Sequence, residues 1–293
     1  MSTEYRLNGA KAVRELLEKH GIRLSKAMGQ NFLIDPNIPE KIVNLSGIDS
    51  SCGVLEVGPG IGVLTERLCR AAGHVTAVEV DRRLPDVLRD TLGGAENVEI
   101  IRGDILKLDI GALVYEKMQG YHPCVCANLP YNITTPVLTA LIEARLFESV
   151  TVMTQREFAR RICASPGSGD YGALTLFVNY HTAPKMLFDV PPECFMPRPK
   201  VHSTVVTMKM RAEGLLPPEQ EALFFRVVRA AFGQRRKTLV NALYAVFGSQ
   251  TDKDEIAEIV QSCGFGPNVR GETLGIGEFA KISENFSKKL NKV

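Results

Sequence analysis

Val54-Leu-Glu-Val-Gly-Pro-Gly-Ile-Gly62 is the stretch that decides the fold. A short apolar run breaks into three glycines, and Val63 to Ala72 then follows with helical spacing. Glycine lets the backbone turn sharply and lets a ligand come close, while the helix start offers free amide hydrogens. A buried strand, a glycine turn and a helix in that order open a doubly wound α/β sheet, whose ligand lies beyond the carboxyl ends of the strands. The spacing departs from the dinucleotide pattern Gly-x-Gly-x-x-Gly, because the third glycine, Gly62, comes one residue early and Val63 stands in its place. Gly58 and Gly60 are therefore candidate contacts for a nucleotide-like ligand, against the competing reading of a tight turn that holds nothing.

Downstream, the alternation continues: strand His74 to Val80, helix Leu84 to Leu92, strand Val98 to Arg102, then strands Pro123 to Ala127 and Val150 to Thr154. The helix between the last two is expected to be capped by Thr134 or Thr135, with Pro136 in its first turn. Its apolar positions Val137, Leu138, Leu141, Ile142 and Leu146 are expected on one side. Strands that alternate with helices imply a mostly parallel sheet covered on both faces. Ser165 to Asp170 reads as a flexible connection, followed by a helix near Leu174 to Tyr180 and a strand near Lys185 to Val190. The strand Ser203 to Met210 reads as its hairpin partner, and Pro191, Pro192, Pro197 and Pro199 fix the turn around Phe195.

Upstream, a helix in the first twenty residues ends at Gly21, Lys26 to Pro36 is an arm or loop, and Pro39 to Leu45 is helical again. Beyond a linker from Arg211 to Gln220 every element reads as helix: Glu221 to Phe232, Lys237 to Phe247, Asp254 to Cys263 and Ile276 to Leu290. The expected organisation is an α/β domain over residues 1–210, with 1–35 as N-terminal helix and arm, and a small helical domain over 211–293.

The 293 residues, 45% hydrophobic and 23% charged, exclude disordered and fibrous classes. No apolar run approaches the ~18 residues that a membrane-spanning helix needs. The first residues mix both charge signs without an apolar centre, so they do not read as a signal peptide, and the expectation is a cytoplasmic protein with no membrane partner. Seven cysteines are scattered without a Cys-x-x-Cys pair or a histidine at zinc-site spacing, which predicts reduced thiols and no metal. The net charge of +2 hides a dipole: Phe195 to Lys237 holds nine Lys or Arg against three Glu, a local +6. Within it, Arg226, Arg229, Arg235, Arg236 and Lys237 form a candidate electropositive face.

Two carboxylates follow successive strands. Glu79 ends the second, where it can accept from both hydroxyls of a ribose, and Asp104 follows the third in Gly103-Asp-Ile-Leu. Asp104 suits an exocyclic adenine amine, or simply a helix cap. Asn128-Leu-Pro-Tyr131 follows the fourth strand. An adenine N6 amine is a poor nucleophile because its lone pair is delocalised into the ring. Two neutral acceptors that take both of its hydrogens free that pair, and the Asn128 side-chain oxygen with the Leu129 carbonyl meet the need, since Pro130 stiffens the turn. Tyr131 supplies a ring for stacking, a contact worth about 1 to 3 kcal/mol. The same tetrad also suits a plain strand-ending turn.

Taken together, the motifs resemble the rRNA adenine N6-dimethyltransferases, in particular the bacterial 16S rRNA members. The resemblance runs from Gly29 to about Ala242 and rests on Gly29-Gln-Asn-Phe-Leu33, Glu56-Val-Gly-Pro-Gly-Ile-Gly62, Glu79, Gly103-Asp104, Asn128-Leu-Pro-Tyr131, Phe195-Met-Pro-Arg-Pro-Lys-Val-His-Ser203 and Phe232-Gly-Gln-Arg-Arg-Lys237. It implies a Rossmann-like class I methyltransferase fold and S-adenosyl-L-methionine as methyl donor. The implied cofactor set is Gln30, Asn31, Leu33, Gly58, Gly60, Glu79, Asp104, Ile105 and Asn128. Around the reaction it implies Asn128, Leu129, Pro130 and Tyr131, with Phe195 stacking on the base opposite Tyr131. The implied activity is dimethylation of two adjacent adenosines in a hairpin loop near the 3′ end of 16S rRNA, within a nearly assembled small ribosomal subunit. The basic residues at 226 to 237 would grip the RNA, and a monomer is the expected state. A nicotinamide dehydrogenase, a DNA adenine methyltransferase and an assembly factor whose binding outweighs its chemistry are the alternatives.

Overall fold

The computed structural model describes residues 7, 9–22, 30–212 and 214–290. The first helix, α1 (Gly9–Lys19), buries Val13, Leu16 and Leu17, and Gly21, at φ +62°, ends it as expected. After β1 (Phe32–Leu33) and α2 (Asn37–Ser46) comes the alternating segment: β2 (Cys52–Val57), α3 (Val63–Ala71), β3 (His74–Glu79), α4 (Leu84–Leu92), β4 (Val98–Arg102), a 3-10 turn (Ile105–Lys107), α5 (Ile110–Lys117), β5 (His122–Asn128), α6 (Thr134–Glu143) and β6 (Ser149–Gln155). Then follow α7 (Arg156–Ile162), α8 (Ala173–His181), β7 (Thr182–Val190), β8 (Phe195–Met196) and β9 (Ser203–Met210). The chain ends with α9 (Pro218–Gly233), α10 (Leu239–Phe247), α11 (Lys253–Ser262) and α12 (Ile276–Leu290).

The main sheet has seven strands in the order β4-β3-β2-β5-β6-β9-β7. Pairs β2–β3, β3–β4, β2–β5 and β5–β6 are parallel, and β6–β9 is antiparallel. This is the mostly parallel, doubly wound sheet that the alternation predicts. The strand order reverses at β2, with β3 on one side and β5 on the other, and such a switch point opens a crevice at the carboxyl ends of the strands. Every residue of β2 is buried, as a central strand covered on both faces requires.

By packing, the chain forms two units: residues up to Ala159 with Lys185–Met210, and Arg160–Pro184 with the chain from Arg211 onward. The boundary expected at 210/211 therefore needs correction, since it leaves residues 160–184 in the first domain. Side-chain packing is the reason: the Tyr180 ring lies 4.9 Å from that of Phe224, and the Tyr171 hydroxyl donates to the Leu274 carbonyl at 2.8 Å. Two helices went unanticipated, α5 and α7. α6 begins without a side-chain cap, because the apolar Ile133 occupies the N-cap position; Thr134 is the first helical residue, and its hydroxyl donates to the Pro130 carbonyl at 3.1 Å. Val137, Leu138, Leu141 and Ile142 are buried on one face of α6, whereas Leu146, beyond its end, is 41% exposed.

Gly62, the N-cap of α3, adopts φ +88°, and a Cβ there would meet Thr91 Oγ1 at 2.9 Å and Leu88 Cδ2 at 3.1 Å. Gly62→Ala is expected to destabilise the protein by about 1–3 kcal/mol through backbone strain alone, more if α4 must shift. Urea unfolding of the two proteins side by side measures it, and equal midpoints would contradict this account of the early third glycine.

Candidate active site

The cleft at the switch point is lined by the glycine turn, by the ends of β2, β3, β4 and β5, and by Gln30–Leu33. Its volume, including the open solvent at its mouth, is about 930 Å3. Glu79, 4% exposed, holds the turn in place: its Oε2 accepts from the Gly60 amide at 3.2 Å and its Oε1 from the Asp81 amide at 2.8 Å. An ionised carboxylate has about four acceptor positions, so these bonds orient Glu79 and leave it capacity for a ligand. Asp104 lines the cleft too, yet its Oδ1 accepts from the Leu106 amide at 3.1 Å. The cap and the ligand readings of Asp104 are therefore compatible. Ile105 beside it is buried and forms part of the wall.

Asn128 ends β5, one strand from the turn. Its Nδ2 donates to the Asn31 carbonyl at 3.4 Å. The next residues are held from below: the Leu129 amide donates to the Met153 carbonyl at 3.1 Å, and Pro130 O accepts from both the Ile133 amide and the Thr134 hydroxyl. The Tyr131 hydroxyl lies 2.7 Å from Ser203 Oγ on β9, which pins the ring at the mouth.

From Gln30 on, the expected arm lies over the glycine turn as a strap, while its residues 26–29 fall outside the described ones. Phe32 and Leu33 pair with Met196 and Phe195 in a two-stranded antiparallel ladder, β1–β8. Gly60, at φ +60°, has no room for a side chain under this strap, since a Cβ would meet the Phe32 ring at 3.0 Å. Gln30 Nε2 donates to Asp81 Oδ2 at 2.8 Å. Asp81 is itself clamped by Arg83, through Nε at 2.9 Å and Nη2 at 2.7 Å, which holds its carboxyl down at about 2.

The ladder changes the expectation for Phe195. That side chain is 3% exposed, belongs to the hydrophobic core and does not line the cleft, although Leu33, its partner across the ladder, does. Only Tyr131 of the two expected aromatic faces stands at the mouth.

Residues 21–284 match the family model described as ribosomal RNA adenine dimethylase. The chain belongs to that family. It is 43% identical over 286 residues to the ribosomal RNA small subunit methyltransferase A of Alkaliphilus oremlandii, covering 97% of this chain and 99% of the relative. With its counterpart from Shouchella clausii the identity is 46% over 279 residues, 94% of each chain. Among solved structures, a dimethyladenosine transferase from Plasmodium falciparum superposes with a TM-score of 0.77 at 27% identity, covering 88% of this chain and 98% of that one. The 23S rRNA methyltransferase ErmE gives 0.69 at 26%, covering 88% and 100%. The fold is thus that of the class I rRNA methyltransferases.

Three parts of this dimethylase site escaped the reading of its sequence. Asp81 and Arg83 show no motif of their own; only their distance from Gln30, 51 residues along the chain for Asp81, makes them a clamp. Glu56 stood within the quoted motif but was not singled out. It is 1% exposed and lines the cleft; its Oε2 has no hydrogen-bond partner among the described residues, and the Thr65 hydroxyl beside the carboxyl only partly offsets its burial. Burial pushes its carboxyl up to about 8, and the charge of Glu79 adds to the effect. Among the described residues no cluster of three or more His, Cys, Asp or Glu is placed to hold a metal, and no helix is long and apolar enough to cross a membrane.

The basic residues of the second unit divide by surroundings. Arg235 Nε donates to Glu272 at 2.7 Å and its Nη2 to the Gly169 carbonyl at 3.0 Å, so it ties two loops together. Arg226 lies over the Phe247 ring at 4.3 Å and donates to Gln250 at 3.2 Å. Arg229, Arg236 and Lys237 are exposed.

A carboxyl whose folded-state value is raised from 4.5 to about 8 binds a proton that the unfolded chain has already lost. Its contribution therefore falls as pH rises through that window, by up to a few kcal/mol. Glu56→Gln is expected to raise the melting temperature at pH 8 and to change it little near pH 5. A pair of calorimetric scans checks this; an equal effect at both values would show that Glu56 is already ionised in the native cleft.

Proposed function

We propose that this protein transfers methyl groups from S-adenosylmethionine to the N6 amines of adenosines in small-subunit rRNA, giving N6,N6-dimethyladenosine. The observation that supports it best is the meeting of Asn128, the glycine turn and Glu79 around one cleft, in a chain that matches the dimethylase family almost throughout. The residues present fit the donor. Two buried polar atoms of cleft-lining residues, Glu56 Oε2 and Gln30 Oε1, have no hydrogen-bond partner among the described residues, and the turn is glycine where the strap comes closest. Asn31, Leu33 and Gly58 would hold the methionine part, Glu79 the ribose, and Asp104 with Ile105 the adenine. When bound, S-adenosylmethionine supplies an electrophilic methyl on a sulfonium.

The chain's own part is alignment and hydrogen bonding. Asn128 Oδ1 and the Leu129 carbonyl accept the two hydrogens of the target amine, which draws its nitrogen towards tetrahedral geometry and frees the lone pair. No strong base is needed, because the nitrogen loses its proton readily once alkylated. Holding the reacting groups about 3–3.5 Å apart can account for roughly 7–11 kcal/mol of the barrier. The target base must leave its stack to reach the site. Tyr131 receives its face, while we assign Phe195 to holding the strap. A second methylation requires that the mouth readmit an amine already carrying one methyl. In the second unit, Arg229, Arg236 and Lys237 are the residues best exposed to phosphates, with Arg226 and Arg235 partly committed to internal contacts.

Tritium transfer from labelled S-adenosylmethionine to unmethylated small subunits, followed by nucleoside analysis, is expected to yield N6,N6-dimethyladenosine; label in duplex DNA instead would overturn the substrate. Asn128→Ala should lower the single-turnover rate at least about a hundredfold, the scale seen when one transition-state hydrogen bond is removed. Replacing Arg236 and Lys237 by Ala should weaken rRNA binding and reduce the slope of log K against log salt by about 1.5 for two lost phosphate contacts. S-adenosylmethionine affinity should stay unchanged. Arg235→Ala should in addition lower thermal stability, which separates its role from that of its neighbour.

A further inference from the structure

An asparagine carboxamide has two ends of nearly equal size, and only its oxygen end can accept hydrogens from a target amine. Left alone at a cleft mouth, the group turns freely about its last torsion, and half its orientations present the wrong end. In this structure the wrong end is occupied. Asn128 Nδ2 donates to the Asn31 carbonyl, a group that can only accept, so a flipped amide would set oxygen against oxygen. The orientation of Asn128 therefore depends on where the strap holds residue 31.

The strap is held on one side by the β1–β8 ladder and on the other by Gln30, whose Nε2 donates to Asp81 at 2.8 Å. Asp81 is well suited to anchor it. Its side chain is 4% exposed, two nitrogens of Arg83 and the Arg83 amide bind it, and its own amide donates to Glu79. A continuous route thus runs from Glu79 through Asp81, Gln30 and the Asn31 backbone to Asn128.

Resting on the dimethylase reading above, we propose that the Gln30–Asp81 clasp is a positioning device: by fixing the Asn31 carbonyl it turns the Asn128 oxygen towards the target amine. Asp81 and Gln30 in this sense touch no reacting atom. They act through the strap, and they do so where the cofactor's ribose acceptor is also anchored, so that the acceptor for the amine is set correctly only when the strap lies closed over the turn.

The test is a set of three variants in the full-length protein, with single-turnover methyl transfer to unmethylated small subunits at saturating S-adenosylmethionine as readout. Gln30→Glu sets a carboxylate against Asp81 and should slow transfer by about a hundredfold, the scale of a 1 Å misplacement. Gln30→Lys, which keeps a donor opposite Asp81 Oδ2 and leaves the Arg83 contacts of Asp81 intact, should recover at least about tenfold of that loss. Saturating S-adenosylmethionine removes any simple loss of cofactor affinity from the comparison, and equilibrium dialysis measures that affinity separately. Gln30→Ala, which introduces no charge, should slow transfer in the same direction and serves if Gln30→Glu does not fold. A wild-type rate in Gln30→Glu or Gln30→Ala, or a Gln30→Lys variant no faster than Gln30→Glu, would overturn the clasp. Absence of transfer by the wild-type protein would instead count against the dimethylase reading itself.

Discussion

The parallel pairing of β2 with β5 is the constraint on which the site depends. Val54 lies opposite Cys124 and Leu55 opposite Val125, so the two strands end at the same level and their following turns face each other. Continued along the chain, that register brings Gly58, which follows β2, level with Asn128, the last residue of β5, and both line the cleft. A slip of one residue in that register would send Asn128 to the opposite face of the sheet. The register is well protected, because both strands are central and apolar: β2 is wholly buried, and Cys124, Val125, Cys126 and Ala127 are buried in β5.

Over this edge lies the strap. It owes its place to a ladder of two residue pairs, to side-chain bonds and to the burial of Phe32 and Leu33 in the core, not to pairing within the main sheet. That division suits a bisubstrate enzyme, which must admit both a cofactor and a base, release both products, and still hold the acceptor atoms still during transfer. The rigid strands carry the glycine turn, Glu79 and Asn128; the strap completes the site by covering the turn and orienting an amide.

The two units also differ in what their charges do. In the first, Glu79 and Asp104 at the cleft accept from backbone amides and are oriented before any ligand arrives. In the second, the basic run from Arg226 to Lys237 reads as uniform in sequence but is not so in space. Arg235 bridges Glu272 and a loop carbonyl, and Arg226 stacks on Phe247. A salt-bridged arginine can still meet a phosphate, yet it must exchange one partner for another, whereas Arg236 and Lys237 need only shed water.

What local sequence determined here was the alternation of strand and helix, the glycine turn and the polar residue at each strand end, because those follow from periodicity and backbone preference within a few residues. Leu84 to Leu92 and Val98 to Arg102 could be read to the residue on that basis. The Asn128 tetrad and Glu79 were legible for the same reason: each directly follows a strand whose apolar run is plain. Contacts between distant segments decided the rest. Residues 160–184 joined the helical unit because Tyr171 and Tyr180 found partners near 274 and 224, Phe195 is buried among core side chains from distant segments, and Asp81 became an anchor because Gln30 reached it. No local pattern encodes such meetings, since they depend on which surfaces the folded chain brings within a hydrogen bond's length of one another.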